Sequence, residues 1–423
     1  MTSNTAHNEA FVWVWLPEAH EPVIAGKLET DNGHIQFNYG KRYLERLNDT
    51  GRGSNKAISL YDAELPLRPG VLPLLDGLNM PGCIRDGSPD AWGRRVIINK
   101  KLGLRGMAVD TTQLNELTYL LESGSDRIGA LDFQLSPTEY IPRLSTNVSL
   151  DELLKSTERV EQGIPLTSEL DQALFQGSAI GGARPKALIE EKNKKYVAKF
   201  PLSSDLYNIV KAEFVAMKLA MLAGINVAPV NLVKALHKDV LLIERFDRIK
   251  VDGGWQRKSM VSALTLFGLD DMMARYASYE TLAEIIRHKF TAPADTLKEL
   301  FARLVFNILC GNTDDHARNH AAFWDGKMLT LTPAYDICPQ GRTGNEASQA
   351  MLIFGNNRMS TLSNCINTAH NFLLSKNEAL AIVENQKETI EKNWGGVCDE
   401  AHLNKIDRTL LWGRQFLNPY VTE

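Results

Sequence analysis

The most informative absences in this 423-residue chain concern cysteine and positive charge. Its cysteines are few, odd in number and dispersed, and no C-x-x-C pair occurs, which argues against a zinc ribbon and against a disulfide framework. A net charge of −4 argues against a surface that holds nucleic acid by itself. We therefore expect reduced thiols in the core of a cytosolic protein. The cysteines are Cys83, Cys310, Cys338, Cys365 and Cys398.

Long hydrophobic segments are also missing. The longest apolar helix candidate, Ala212–Ile225, is interrupted by Glu213 and Lys218, so it is too short and too polar to cross a bilayer. The segment Met1–Ala10 is polar and lacks the apolar core of a secretory signal. No helix-turn-helix segment and no internal repeat are evident in the sequence. These absences predict a cytoplasmic protein that does not contact a membrane.

The sequence contains a β-rich first part followed by a helix-rich last part, which predicts an α+β fold. Helical periodicity dominates from about Ser259 to the C-terminus. The segment 31–33 is a hairpin signal, Ser88 and Pro89 suit the start of a helix, and the polar stretch 136–149 suggests a domain boundary. The predicted strands are 11–16, 23–28, 34–39, 128–133, 187–190, 196–200, 231–233 and 240–246, and the predicted helices are 89–98, 114–121, 150–162, 166–175 and 209–222.

One short segment near the end of the chain points to chemistry. Asp314 is followed five positions later by Asn319, which is the spacing of a protein-kinase catalytic loop. In that loop the aspartate accepts the proton of the substrate hydroxyl and the asparagine holds a Mg²⁺ ion. The spacing selects Asp314 rather than Asp315 as the base. Asp336 follows a strand-like apolar run, where a kinase places its main Mg²⁺ ligand.

Three upstream elements occur in the order that a kinase requires. The glycine-rich segment 177–186 precedes a predicted strand and suits a loop over phosphates, although an ordinary turn has the same composition. Lys199 resembles the strand lysine that binds phosphates, and Glu213 on the next helix could pair with it; the alternative is that both are solvated charges. The segment 241–248 suits a hinge between two lobes; the alternative is that it is the ordinary end of a strand.

This order predicts a two-lobed kinase layout. We divide the chain into a β-rich N-terminal subdomain at 1–145, a part with phosphate loop, lysine and hinge at 146–255, and a helical C-terminal lobe at 256–423. A metal-hydrolase site is an alternative, because His316 and His320 lie four positions apart beside two acids. However, H-x-x-x-H lacks the glutamate of H-E-x-x-H, and a loop would not bring both rings to one face.

Six stretches, in order and at plausible spacing, carry a family resemblance: Gly87–Arg94, Asp126–Leu131, Gly181–Lys186, Ile243–Arg248, Gly311–Asn319 and Leu331–Asp336. On these stretches the chain resembles the HipA family, the bacterial toxin kinases of type II toxin–antitoxin modules. The resemblance implies a kinase-like body behind a small β-rich domain, and serine/threonine protein kinase activity with ATP and Mg²⁺. It also implies a small helix-turn-helix antitoxin similar to HipB, contact with DNA only through that antitoxin, and a protein substrate such as a tRNA synthetase or another translation factor.

The resemblance also implies roles for individual residues. Asp314 would be the catalytic base, and Asn319 and Asp336 would bind Mg²⁺. Two hinge residues, Glu244 and Phe246, would bracket adenine. The full set implied in ATP binding is Gly181, Gly182, Ala183, Lys186, Lys199, Glu244, Arg245, Phe246, His316, Asn319, Tyr335 and Asp336.

Two departures from the family pattern bear on metal binding and regulation. Members often have T-D-G-H where this chain has Thr313–His316, and the additional charge of Asp315 beside the base is expected to alter Mg²⁺ affinity. The loop serine that members autophosphorylate falls on Ala179, so Ser178, one residue earlier, is the autophosphorylation candidate. Two other functions stay open: a kinase fold that acts as a binding module or corepressor without phosphotransfer, and a kinase that acts on a small molecule.

Overall fold

In a computed structural model of the chain, the described residues are 7–48, 56–103, 110–143, 148–162, 164, 174, 179–180, 182, 184–342 and 344–422. They form an α+β architecture, with a β-rich first part and a helix-rich last part, as the sequence predicts. Among the described helices, none combines the length with the hydrophobicity that spanning a bilayer requires. All five cysteines are free and buried, which confirms the core thiols expected from the sequence.

The described N-terminal residues contain an antiparallel sheet of β1 Glu9–Val14, β2 Val23–Asp31, β3 His34–Tyr39, β4 Val71–Leu72 and β5 Leu131–Gln134. Its strand order is β4-β3-β2-β1-β5. Alternate residues face the core, so that Ile35 and Phe37 of β3 are buried while His34 is exposed. Both residues of the tight turn at 32–33 have positive φ, which confirms the hairpin predicted at 31–33.

Short helices connect the strands of the N-terminal part: α1 Lys41–Glu45, α2 Gly82–Arg85, α3 Ala91–Leu102 and α4 Glu116–Glu122. The predicted start of a helix at Ser88 and Pro89 is wrong, because the N-cap residue of α3 is Asp90. Pro89 lies before the helix, and its carbonyl accepts a hydrogen bond from Nε of Arg94 at 2.9 Å. The true N-cap places the Asp90 carboxylate at the entrance to α3.

The middle of the chain forms a second antiparallel sheet with two helices: α5 Leu150–Glu161, β6 Lys186–Glu191, β7 Lys194–Lys199, α6 Ile209–Leu222, β8 Val230–Ala235 and β9 Lys238–Glu244. The strand order is β6-β7-β9-β8. Helix α6 has the bounds that its periodicity predicts, and α5 begins with a capping box of Ser149 and Glu152. The helix predicted at 166–175 lies outside the described residues, apart from Leu174.

The last part is rich in helices, as predicted, but it also contains short strands that the periodicity does not reveal. A hairpin of β10 and β11 follows the second sheet, and β12, β13 and β14 form a third antiparallel sheet. Strands this short contain too few residues for an alternation of apolar and polar residues to be recognised. The elements are β10 Arg248–Val251, β11 Gly254–Arg257, β12 Met260–Ser262, α7 Ala263–Leu266, α8 Tyr279–Lys289, α9 Pro293–Leu309, β13 Ala321–Trp324, β14 Leu329–Leu331, α10 Leu362–Thr368, α11 Lys376–Glu400 and α12 Lys405–Leu411.

A continuous apolar cluster joins the N-terminal sheet to the helices of the last part. Phe37 of β3, Phe214 of α6 and Phe306 of α9 all belong to it. A second cluster contains Trp92 of α3 and Phe200, which follows β7. The N-terminal part contributes to both clusters, so elements from all three predicted domains pack against one another. The domain bounds themselves stay a prediction.

A buried set of ion pairs, here called the Asp126 network, joins the N-terminal part to the end of the second sheet. Its members are Asp126, Lys195, Arg245, Asp247 and Arg248. Asp126 accepts hydrogen bonds from Arg245 Nη1 at 3.1 Å, Arg248 Nε at 3.0 Å and Lys195 Nζ at 2.5 Å. Arg245 also donates to both carboxylate oxygens of Asp247, at 2.9 and 2.8 Å. Although burial opposes ionisation, the charges of Arg245 and Arg248 hold the pKa of Asp126 well below its usual value.

Candidate active site

A cleft of about 540 Å³ opens where the three parts of the chain meet. Pockets for small-molecule ligands commonly have volumes of about 300 to 1,000 Å³. The cleft walls combine residues of the second sheet, of loops in the last part and of the N-terminal part. Six lining residues that matter below are Asp90, Gly182, Lys199, Phe246, Asn319 and Asp336.

Two buried lysines lie on neighbouring strands beside the cleft. Lys186 of β6 and Lys199 of β7 are cross-strand partners. Lys199 Nζ contacts Glu213 Oε1 of α6 at 2.6 Å and also contacts the Asp336 carboxylate, so the predicted pairing of Lys199 with Glu213 is present. Burial opposes the charge on Lys199, but Asp336 and Glu213 raise its pKa. Burial, followed by the charge of Lys199, lowers the pKa of Lys186 to about 8.

Asp336 has a strained backbone and an ionised carboxylate. Its φ of 59° lies in the left-handed region, which residues other than glycine rarely adopt. The preceding segment is held by Ala334, whose carbonyl accepts a hydrogen bond from the N–H of Ala228 at 2.9 Å. Burial opposes ionisation of Asp336, but the charges of Lys199 and Lys186 lower its pKa to about 2. An ionised carboxylate therefore lies at the cleft.

The loop between α9 and β13 carries the two residues predicted from kinase spacing. Asp314 is exposed, and its carbonyl accepts hydrogen bonds from the His316 N–H at 2.9 Å and from Asn319 Nδ2 at 3.1 Å. A 3₁₀ turn at Ala317–Asn319 tightens the loop. Partial burial raises the pKa of Asp314; His316 opposes this rise, and repulsion from Asp336 adds to it. The loop thus fixes its own shape and leaves the Asp314 carboxylate at the solvent edge. His316 lines the cleft.

Gly311 explains how the chain enters this loop. Its φ is +71°, and a Cβ atom here would come within 2.7 Å of the Gln415 carbonyl oxygen. Glycine is required for both reasons, because it tolerates positive φ and allows the close approach. The next residue, Asn312, donates its Nδ2–H to Asn307 Oδ1 at 3.0 Å, which ties the loop to the last turns of α9.

Asp315 follows the proposed base directly in the chain, but its side chain is buried in the protein interior. Its carboxylate contacts His320 Nε2 at 3.0 Å and accepts a hydrogen bond from the Tyr279 hydroxyl. Burial opposes its ionisation, but His320 lowers its pKa. The adjacent acids therefore have different environments, and the Asp315 charge is compensated within the core. His320 is the partner of Asp315, and the residues that the structure describes contain no cluster of three or more His, Cys, Asp or Glu side chains able to hold a metal.

The predicted phosphate loop is described only in part. Gly181, Ala183 and the autophosphorylation candidate Ser178 lie outside the described residues. Gly182 has a φ of +109°, and a Cβ atom there would collide with Lys186 Nζ. The Gly182 N–H donates to Asp90 Oδ2 at 2.5 Å, so this amide already has a partner in the protein. The loop therefore touches the N-terminal part as well as the second sheet.

The hinge residues divide into two groups. Phe246 and Tyr335 lie side by side, with ring centroids 5.7 Å apart, and both line the cleft. Glu244 Oε2 is paired with Lys194 Nζ at 2.6 Å. The guanidinium of Arg245 lies within the Asp126 network, and the main-chain N–H of Arg245 donates to the Lys195 carbonyl at 2.8 Å, so of this residue only the main-chain carbonyl is available to a nucleotide. The ATP-binding role of these residues stays a prediction.

Residues that sequence reasoning did not assign to the site come mainly from the N-terminal part. Asp90 lines the cleft and contacts Gly182. Arg318 of the predicted catalytic loop also lines the cleft and contacts the same carboxylate at 2.8 Å. Both belong to stretches that carry the family resemblance. The family resemblance therefore singles out Asp90 and Arg318, but it does not predict that they contact each other.

Comparison with known proteins gives matches in both sequence and fold. A family model described as the HipA-like C-terminal domain matches residues 178–394, just over half of the chain. The protein Y4mE of Sinorhizobium fredii is 28% identical over 150 residues, which cover 34% of each chain. The serine/threonine-protein kinase toxin HipA of Shewanella oneidensis is 25% identical over 183 residues, which cover 38% of this chain and 42% of HipA. The chain thus spans well under two thirds of the length of these curated relatives.

A solved structure matches over almost the full length. It is titled as HipA of Shewanella oneidensis MR-1 in a complex with HipB and operator DNA. The TM-score is 0.65 at 18% identity, and the match covers 94% of this chain and 97% of that chain. At this identity the likeness shows the fold. It confirms the expected arrangement of a β-rich N-terminal part on a kinase-like body with a helical C-terminal lobe.

Proposed function

We propose a kinase function for this chain, which belongs to the HipA-like C-terminal domain family. The enzyme would transfer the γ-phosphoryl group of ATP to serine or threonine hydroxyls of a protein. One observation carries the proposal: Lys199, which is paired with Glu213, lines one cleft together with Asp336 and Asn319, and Asp314 lies in the same loop as Asn319. Positioning and electrostatic stabilisation supply most of the rate in phosphoryl transfer, and this set of residues supplies both.

The donor atoms at the cleft fit Mg²⁺. This ion prefers oxygen ligands and is usually held by one or two protein carboxylates together with substrate phosphates. The Asp336 side chain is 43% exposed, and the residue lines the cleft. Asn319 donates its Nδ2–H to the Asp314 carbonyl, which leaves its amide oxygen as the atom that can ligate a cation. Bound Mg²⁺ would neutralise negative charge on the phosphates.

The remaining side chains fit ATP. Lys199 and Lys186 place two cationic groups together for the phosphates. Phe246 and Tyr335 offer an aromatic surface for adenine. The loop that includes Gly182 borders the same space. Among the hinge residues, Arg245 would contribute only its main-chain carbonyl.

Asp314 is the proposed general base. Its exposed position allows a side chain of another protein to reach it. A general base must come within hydrogen-bond reach of the proton that it accepts, and this exposure permits that approach. The hydrogen bonds from His316 and Asn319 to its carbonyl would hold the carboxylate in place while the hydroxyl attacks.

We further propose a toxin role in the cytoplasm, with a small helix-turn-helix antitoxin as partner. The similar fold of HipA is known from a complex with HipB and operator DNA. With a net charge of −4, this chain would reach DNA through such a partner rather than by phosphate contacts of its own. The protein that it phosphorylates would be a component of translation.

The direct test is transfer of label from γ-labelled ATP. The purified protein, incubated with Mg²⁺ and a bacterial lysate, should label discrete proteins on serine or threonine, and an Asp336→Asn variant should not. Peptide mapping of the same reaction decides whether Ser178 becomes phosphorylated. Label found only in small molecules would indicate a small-molecule kinase. No transfer to any fraction would favour a binding module without phosphotransfer.

A toxin that acts by phosphorylation should arrest growth only when its site is intact. Induced expression of the wild type is therefore expected to stop the growth of a bacterial host, and Asp314→Ala should be tolerated at equal protein level. Co-expression of the proposed helix-turn-helix antitoxin should restore growth and yield a co-purifying complex. If the wild type and Asp314→Ala slow growth equally, toxicity does not depend on kinase activity.

A further inference from the structure

Asp90 occupies a helix N-cap position but does not use its side chain as a cap. An N-cap aspartate ordinarily accepts a hydrogen bond from a backbone N–H in the first turn of its own helix. The Asp90 side chain makes no such bond to α3. One of its oxygens accepts instead from the Gly182 N–H at 2.5 Å, and the other accepts from Arg318 Nη1 at 2.8 Å. The carboxylate therefore joins the predicted phosphate loop to the predicted catalytic loop.

Arg318 extends this connection toward the metal ligand. Its second amino group contacts Asp271, so its guanidinium lies between two carboxylates. Its carbonyl accepts a hydrogen bond from the Tyr335 hydroxyl at 2.6 Å. Tyr335 directly precedes Asp336 in the chain. A continuous series of hydrogen bonds therefore runs from Gly182 through Asp90 and Arg318 to Tyr335, next to Asp336.

We propose that Asp90 is a positioning residue of the kinase site, which holds the phosphate loop and the catalytic loop in register. This role rests on the proposed function. It means that the N-terminal part helps to position the loops that bind ATP and carry the base. A carboxylate near phosphates would repel them, but Arg318 compensates its charge. Hydrogen bonds to charged groups are stronger than neutral ones, so the charge of Asp90 matters as well as its shape.

The hydrogen bond between Asp90 and the Gly182 N–H could instead compete with ATP, and this role predicts a different result. If Asp90 merely occupied an N–H that ATP phosphates would otherwise use, removal of its charge would strengthen ATP binding. A positioning residue behaves in the reverse way, because its loss lets the loop move away from the phosphates. A purely structural role would reduce the fraction of folded enzyme and leave the KM for ATP unchanged. The direction of the change in KM therefore separates the three roles.

The test compares Asp90→Asn with Asp76→Asn, an exposed aspartate in the same N-terminal part. Asp90→Asn is expected to raise the KM for ATP about tenfold, as loss of a charge-assisted hydrogen bond implies, without changing the KM for the protein substrate. Asp76→Asn should match the wild type. An unchanged or lower KM for ATP in Asp90→Asn would overturn the proposal.

A second measurement does not require kinase activity. Hydrogen–deuterium exchange of peptides from 174–190, without nucleotide, should be faster in Asp90→Asn than in the wild type, and Arg318→Gln should accelerate the same peptides. The double variant should add little to either single change, because both break one connection. Additive effects, or exchange equal to the wild type, would contradict the coupling. If the wild type transfers no phosphate but the exchange result holds, the proposed function fails and the coupling stands.

Discussion

Asp314→Asn is expected to slow phosphotransfer by about a thousandfold or more while the melting temperature stays close to that of the wild type. The carboxylate is exposed, and the loop keeps its shape through hydrogen bonds to the Asp314 carbonyl, which the substitution preserves. Asparagine also removes a charge that Asp336 repels. Steady-state kinetics with a labelled protein substrate and thermal melting measure the two quantities.

Two control variants sharpen this result. Asp76→Asn changes an exposed aspartate in the N-terminal part and should leave both turnover and melting unchanged. Asp315→Asn should instead lower the melting temperature, because it removes a buried charge that faces His320 and Tyr279. If Asp314→Asn keeps near-normal turnover and Asp315→Asn loses it without unfolding, the base is one position later than the kinase spacing indicates.

Asp126→Asn is expected to lower the free energy of unfolding by about 3 to 5 kcal/mol, the usual cost of breaking a buried ion pair from one side. The Asp126 carboxylate faces Arg245, Arg248 and Lys195. Its removal leaves buried positive charges without their common partner. Urea unfolding at neutral pH, followed by fluorescence and circular dichroism, measures the difference. Asp76→Asn is the matched control and should change stability little.

The effect of Asp126 should also depend on pH in a defined direction. Because its pKa in the folded protein is depressed, the stability that it contributes is present above the unfolded-state pKa of about 3.9 and is lost as pH falls below that value. The wild type and Asp126→Asn should therefore converge in stability in acid. A difference that stays constant down to the acid limit would mean that the carboxylate acts through shape rather than charge.

Local patterns predicted the parts of the fold that local forces determine. Helix α6 was predicted with its observed bounds because apolar residues recur along its whole length, and the hairpin at 31–33 because its turn requires positive φ. The start of α3 was misplaced because both Ser88 and Asp90 are good N-cap residues, and tertiary contacts select between them. Strands β12 and β13 were missed because each is stabilised by a neighbour distant in sequence.

In the candidate site, too, features set by local sequence were predictable and features set by distant contacts were not. Asp314, Asn319 and Asp336 were selected from their spacing along the chain. Asn319 and Asp336 line the cleft, Asp314 lies in the same loop as Asn319, and the roles of all three stay predictions. No local pattern encodes the contacts of Asp90, which span 92 and 228 positions in the sequence. The inward position of Asp315 was also unpredictable, because it depends on a tyrosine of α8.

The left-handed backbone of Asp336 sets two contributions to thermal stability against each other at one position. A residue other than glycine at a φ of 59° costs on the order of 1 kcal/mol or more, whereas glycine adopts this conformation freely. Glycine would also remove the carboxylate that is paired with the buried Lys199, and loss of one partner from such a pair is destabilising. A laboratory library selected only for heat resistance should therefore keep an acid at position 336, and the proposed metal ligand would be retained without a screen for phosphotransfer.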